Sequence, residues 1–142
     1  MSQINSSKHE QNNKKQCLFC NKEKQKIIYS SELFFVVRDS YPVTKYHTLI
    51  IPHRHVSSFF DLDNKELNEL NEILKKQRQL LLDLDKEITA FNLGVNVGKD
   101  AGQSIMHCHI HLIPRRKGDI KNPKGGVRGV IPSKQKYIKI NE

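Results

Sequence analysis

The run Gln103-Ser104-Ile105-Met106-His107-Cys108-His109-Ile110-His111-Leu112-Ile113-Pro114 leaves this chain few ways to fold. Side chains of an extended strand alternate between its two faces and advance about 3.3 Å per residue. As a strand, the segment places His107, His109 and His111 on one face and Cys108, Ile110 and Leu112 on the other. The apolar face belongs against a core. The imidazole face must meet a cleft, a ligand or a metal, because three stacked imidazoles are costly to bury without partners. One metal held by all three is a poor fit. Neighbours in the row stand roughly 6.6 Å apart and the outer pair roughly 13 Å, against metal–nitrogen bonds of about 2 Å. A phosphate suits the row better, with one imidazole attacking phosphorus and its neighbours donating hydrogen bonds to the oxygens.

Around this strand the chain reads as α+β. Leu33 to Arg38 is a strand too apolar to be exposed on both sides, and Asp39-Ser40-Tyr41-Pro42 ends it as a turn. Tyr46 to Ile51 is a second strand, stopped by Pro52 and joined to the first as a hairpin. A short helical turn near residues 57–60 leads to a long helix. Asp63 and Glu66 carry its N-terminal capping pattern, and it ends near Lys86. Leu67, Leu70, Leu74, Leu81 and Leu84 form its buried stripe. Residues 89–98 alternate as a further strand and run into a Gly-rich turn through Gly102. Short turns between strands, with one helix inserted, give an antiparallel sheet of about five strands backed by one long and one short helix. With 142 residues, 37% of them apolar, one domain with a single core is expected over residues 16–142. It follows a polar tail, residues 1–15, expected to be disordered, in which His9 is a bystander.

The segment from Gly102 to Arg115 resembles the signature of the histidine triad family, three histidines alternating with apolar residues. The upstream runs Asp39 to Pro42 and Tyr46 to His55 resemble the first half of that family's pattern, so the likeness spans roughly residues 17 to 137. It implies a nucleotide-binding hydrolase or nucleotidyl transferase that cleaves a phosphoanhydride or phosphoramidate bond at the α-phosphate. His109, the central imidazole, would be the nucleophile and form a nucleotidyl-histidine, a role that its flanking donors also suggest. A neutral imidazole retains a free lone pair at pH 7. His111 would contact the phosphate oxygens and assist the leaving group, and His47 would be a phosphate contact or acid. Gln103, Ser104 and Asn96 would lie near the phosphate, and Asp39 would accept from the ribose hydroxyls. One departure stands out: the family usually has Gly where this chain has Tyr46. The likeness further implies a homodimer whose sheet continues across both subunits.

Cys17-Leu18-Phe19-Cys20 is by itself ambiguous between zinc, redox chemistry and chance. The resemblance implies a structural zinc held by Cys17, Cys20, His55 and His107, a closed tetrahedral set, with no organic cofactor. His53 would then be a surface residue and Cys108 a small buried hydrophobe. Three cysteines suit a reducing compartment. No apolar run approaches the 18 residues of a membrane span, and no secretory pattern opens the chain, so a cytoplasmic protein without a membrane partner is expected.

The net charge of +9 is uneven. Residues 1–26 carry six Lys against two Glu, and residues 115–142 nine Lys and Arg against two acids. A basic segment directly after the histidine strand suggests a polyanionic partner. A nucleotide phosphate chain is expected there rather than nucleic acid, with Arg115 and Arg116 near the cleft mouth. Two other classes fit the same residues: a non-catalytic zinc-stabilised nucleotide or RNA-binding module, and a metal-dependent hydrolase.

Overall fold

The computed structural model describes residues 16–137, so the polar tail with His9 lies outside the described residues. Five strands form one antiparallel sheet: β1 (Ile27–Ser30), β2 (Phe34–Arg38), β3 (Thr48–Pro52), β4 (Ile88–Gly94) and β5 (Ile110–Arg116). Their spatial order is β1-β2-β3-β5-β4. Between β3 and β4 runs the helix α1 (Asn64–Leu84), preceded by a single 3-10 turn at Phe59–Asp61.

Strands β2 and β3 are buried along almost their whole length because both faces of the sheet are covered. On one side Phe34, Val36, Ile50, Cys108 and Ile110 pack against Leu70 and Ile73 of α1. On the other, Phe35, Val37, Leu49 and Ile51 pack against Phe19 from the Cys-x-x-Cys segment. At full burial each such side chain contributes roughly 1.5–3 kcal/mol. The centre of the sheet is therefore its most strongly held part and a rigid base for what projects from it.

Helix α1 begins where its capping residues dictate. Asp63 Oδ1 accepts from the Glu66 backbone N–H at 2.8 Å, and Glu66 Oε1 accepts from the Asp63 N–H at 3.1 Å. Its buried face is Glu66, Leu70, Ile73, Gln77 and Leu81. Leu70 and Leu81 are as expected from the leucine stripe, but Ile73 replaces Leu84, which is 53% exposed. At 3.6 residues per turn Leu84 lies five turns beyond Glu66 on the same face, so its exposure comes from its place as the last residue of α1 and not from its direction.

Three boundaries differ from the sequence reading. Strand β1 has no counterpart in it: its four residues are all exposed and show no alternation, and backbone pairing with β2 holds them at the sheet edge. Strand β4 stops at Gly94, where its pairing with β5 ends opposite His111. The chain then turns through Gly98 and Gly102, both at positive φ. His47 lies one residue before β3 rather than within it. Pro52 is the last residue of β3 and lies beyond the pairing with β5, where its carbonyl accepts from the His107 ring instead of from another strand.

Candidate active site and metal centre

The histidine row is regular as a strand only at its far end. His107 and His109 precede β5, and the backbone ladder there is replaced by separate bonds: Cys108 N–H donates to Val56 O at 2.7 Å, and His107 Nε2–H to Pro52 O at 2.8 Å. The alternation persists nonetheless. Cys108, Ile110 and Leu112 are buried. The three imidazoles share the opposite face and separate into distinct environments along it.

His107, fully buried, turns Nδ1 toward Cys17 Sγ (3.4 Å), Cys20 Sγ (3.5 Å) and His55 Nδ1 (3.1 Å), while Cys20 Sγ lies 3.1 Å from His55 Nδ1. A tetrahedral zinc with bonds of about 2.3 Å to sulfur and about 2.0 Å to nitrogen would set its ligands roughly 3.3–3.6 Å apart along these edges. The observed spacings fall close to that pattern, and two thiols with two imidazoles are the donor set zinc prefers. The Nε2–H bond to Pro52 leaves the His107 lone pair on Nδ1, facing the cluster, the usual way an outer hydrogen bond fixes a metal-binding tautomer. Burial pushes the His107 pKa down to about 4, so the ring is neutral, as a ligand must be.

His109 is the middle ring. Its Nδ1–H donates to the His107 carbonyl at 2.8 Å, which leaves the lone pair on Nε2. It is 8% exposed, and the Phe19 ring meets it edge-on at 5.1 Å between centroids. His111 faces the other way along the row. Val43 N–H donates to His47 Nδ1 at 3.1 Å, so the proton of neutral His47 sits on Nε2, 2.9 Å from His111 Nδ1 and 3.5 Å from Asp39 Oδ2. His111 then accepts at Nδ1 and carries its own proton on Nε2. Among the described residues that buried Nε2 has no hydrogen-bond partner. Burial first, then the neighbouring His109 and His47, pushes the His111 pKa down to about 4. Burial also lowers that of His47, against the opposing pull of Asp39. The relay is therefore made of neutral rings.

The hairpin geometry explains the spacing of Asp39 and His47. Arg38 pairs with Thr48, so residues 39 and 47 face each other, and Asp39 N–H donates to His47 O at 2.9 Å. The turn before His47 needs φ = 72° at Tyr46, the region where Gly is at ease. A side chain there costs roughly 1–2 kcal/mol. The Tyr46 ring packs beside Leu81, Ile88 and Leu112, which offsets part of that cost.

A cleft of about 630 Å³ is lined by His47, His111, Asn92 and Asn96 together with apolar residues of 113–130. A second cavity, of about 790 Å³, opens beside Cys17, His55 and Ser104. Asn96 thus sits with the histidines, whereas the exposed Ser104 lies toward the metal cluster. Gln103 is a loop staple: its Nε2 donates to Ser57 O and Ile105 O, and its Oε1 accepts from Gly98 N–H. His53 is half-buried at the surface. It stacks on Phe35 at 5.5 Å and donates from Nε2 to Ser31 O, and Lys22 approaches its other nitrogen. The basic segment does reach the cleft, but not with loose charge. Arg115 is bound to Asp119 and Asn92, and Arg116 to Asp85 and Lys45 O. Phe19 and the Val43 backbone escaped the sequence reading. Phe19 is signalled only by being the apolar residue between the cysteines, and a backbone N–H carries no sequence signal.

An α+β sheet that sets His47 and His111 on a cleft, His109 beside His111, and a Cys₂His₂ cluster at the far end of the row defines the class. The HIT domain family model matches residues 21–118, and the chain belongs to that family. It is 41% identical over 93 residues to the nitrilase and fragile histidine triad fusion protein NitFhit of Caenorhabditis elegans, covering 66% of this chain and 21% of that one. It is 34% identical to the asymmetrical bis(5'-nucleosyl)-tetraphosphatase of Schizosaccharomyces pombe, covering 66% of this chain and 50% of that one. To an AP-4-A phosphorylase of Mycobacterium tuberculosis it is 32% identical, covering 66% and 48%. The chain thus spans half or less of the length of these three relatives. A zinc-bound histidine triad family protein from Mycobacterium smegmatis superposes with a TM-score of 0.69 at 27% identity, covering 77% of this chain and 81% of that one.

Proposed function

We propose that this chain cleaves nucleotides at the α-phosphate through a nucleotidyl-histidine on His109. The observation that carries the reading is the opposite polarity of two neighbouring rings. His109 offers a lone pair at Nε2, and His111, with ring centroids 5.1 Å away, offers a buried, unpartnered Nε2–H. A phosphate between them meets a nucleophile and a donor at once. His109 Nε2 attacks phosphorus, a P–N bond forms, and the bond to the leaving group breaks. His111 Nε2–H stabilises the charge on a non-bridging oxygen or protonates the departing group, and His47 holds the tautomer of His111. Water then takes the nucleotidyl group from His109. Asp39 serves the ribose hydroxyls and Asn96 the phosphate edge.

Asp39, His47 and His111 also bring three donor atoms within 4.8 Å of one another, the spacing a metal ion requires. The Val43 N–H on His47 Nδ1 speaks against an ion there, because it keeps the proton on the very nitrogen that would bind the ion. Zinc belongs instead to Cys17, Cys20, His55 and His107, where four protein ligands leave no open position, and there it supplies stability rather than chemistry. The same reading includes a cytoplasmic homodimer continuing the sheet through β4, one of its two outer strands, where Leu93 and the nearby Leu84 are about half exposed.

The test is to mix purified protein with dinucleoside polyphosphates and nucleoside phosphoramidates, quench in base, and map adducts by peptide mass spectrometry. A nucleotidyl group on the His109 peptide is the expected result, and turnover without any such adduct would refute the mechanism. Added inorganic phosphate distinguishes water from phosphate as the second acceptor, by the appearance of a nucleoside diphosphate.

A further inference from the structure

The metal cluster and the reactive imidazole are joined twice. His107 faces Cys17, Cys20 and His55 with its ring, and its backbone carbonyl accepts the Nδ1–H of His109. Phe19, held between the two cysteines, is 3% exposed and sets its ring edge-on to both His107 (6.0 Å) and His109 (5.1 Å). Among the described residues, the backbone hydrogen bonds of segment 17–25 stay within that segment, as from Asn21 N–H to Cys17 O and from Gln25 N–H to Lys22 O. What holds the segment on the sheet is therefore its side chains: the thiols at the cluster, Phe19 in the core, and Lys22 on His53.

We propose that the Cys₂His₂ site positions the nucleophile, with Phe19 as the positioning residue through which it acts. The proposal rests on His109 being the nucleophile. A metal at the cluster fixes the two thiols on either side of Phe19, which keeps the ring against His109. It also fixes His107, whose carbonyl sets the tautomer of His109. One wall and one hydrogen bond thus hold the imidazole with Nε2 toward the phosphate. Without the metal, segment 17–20 loses its strongest attachment, and His109 gains freedom to rotate away from the line of attack. Misplacement of a reacting group by about 1 Å lowers rate by up to ~10²-fold.

The experiment compares the wild type with Phe19→Ala and Phe19→Leu in the zinc-loaded protein. It measures zinc content, single-turnover nucleotidylation, and the rate at which diethyl pyrocarbonate modifies each histidine, mapped by peptide mass spectrometry. Phe19→Ala is expected to keep its zinc, to expose His109 to the reagent several-fold more, and to slow nucleotidylation about tenfold with little change in KM. Phe19→Leu, which refills most of the wall, should recover most of the rate. Chelation of the wild type, with the fold monitored by circular dichroism, should raise modification of His109 and leave that of His47, which touches no residue of segment 17–25, unchanged. Zinc-loaded Phe19→Ala with unaltered His109 reactivity and rate would overturn the proposal. So would a higher KM at unchanged kcat, which would make Phe19 a substrate contact only. A chain that binds no zinc would also overturn it, whereas the role of His109 as nucleophile would stand or fall separately, on the adduct and on His109→Ala.

Discussion

His111→Asn tests the neutral histidine relay through its pH dependence. In the unfolded chain His111 titrates near 6.5, and in the folded protein burial beside two other imidazoles pushes it down to about 4. Below pH 6.5 the unfolded state therefore takes up a proton that the folded state refuses. Stability contributed by the neutral ring is complete above pH 6.5, declines as pH falls, and is lost near pH 4. A drop of about 2.5 pH units corresponds to roughly 3 kcal/mol, and to nearer 2 kcal/mol once solvent screening of a partly exposed ring is allowed for. Asparagine keeps an acceptor for the His47 Nε2–H but does not titrate. Relative to wild type, the variant should be the less stable at pH 7.5 and should lose about 2 kcal/mol less between pH 7 and pH 4.5. At roughly 2–4 °C per kcal/mol for a chain of this size, that is a difference of about 4–8 °C in the fall of Tm. Scanning calorimetry of both proteins across this range decides it. His47 and His107 shift in the same direction in both proteins, so only the difference between the two curves is read. Parallel curves would show that His111 does not titrate as a buried neutral ring and would remove the basis for its Nε2–H as the phosphate donor.

His109→Ala should lower turnover by at least ~10²-fold while nucleotide binding, followed by calorimetric titration, persists; near-normal turnover would remove His109 from the chemistry. Protein purified without chelator should contain about one zinc per chain by elemental analysis. Cys17→Ser should lose that metal, with a fall in Tm of roughly 10 °C where free zinc had stood near 1,000 times its Kd. A metal-free wild type of equal stability would rule the centre out. Asp63→Ala removes the acceptor for Glu66 N–H and should cost about 1 kcal/mol in urea unfolding with activity unchanged; a loss below about 0.3 kcal/mol would show that the capping box adds nothing here.

Much of the site was legible in the sequence because it rests on local rules. Strand alternation determined that His107, His109 and His111 share a face, and capping chemistry placed the start of α1 at Asp63. The apolar runs at residues 33–38 and 46–51 announced two strands joined as a hairpin, the first too apolar to be exposed on both sides. The helix face was less legible, because the stripe of leucines does not reveal that Ile73 turns inward while Leu84, at the helix end, stays exposed. Strand β1 was not legible at all, since its four exposed residues are held by backbone pairing, which any side chains permit. What tertiary structure alone decided is the division of labour within the row. His107 meets two thiols 87 and 90 residues away, His111 meets His47 64 residues away, and His109 stands between them. The tautomers on which the proposed roles of His109 as nucleophile and His111 as donor rest depend on single contacts, the His107 carbonyl and the Val43 N–H. Those are backbone groups, identical in every residue but proline, so only their positions in space distinguish them.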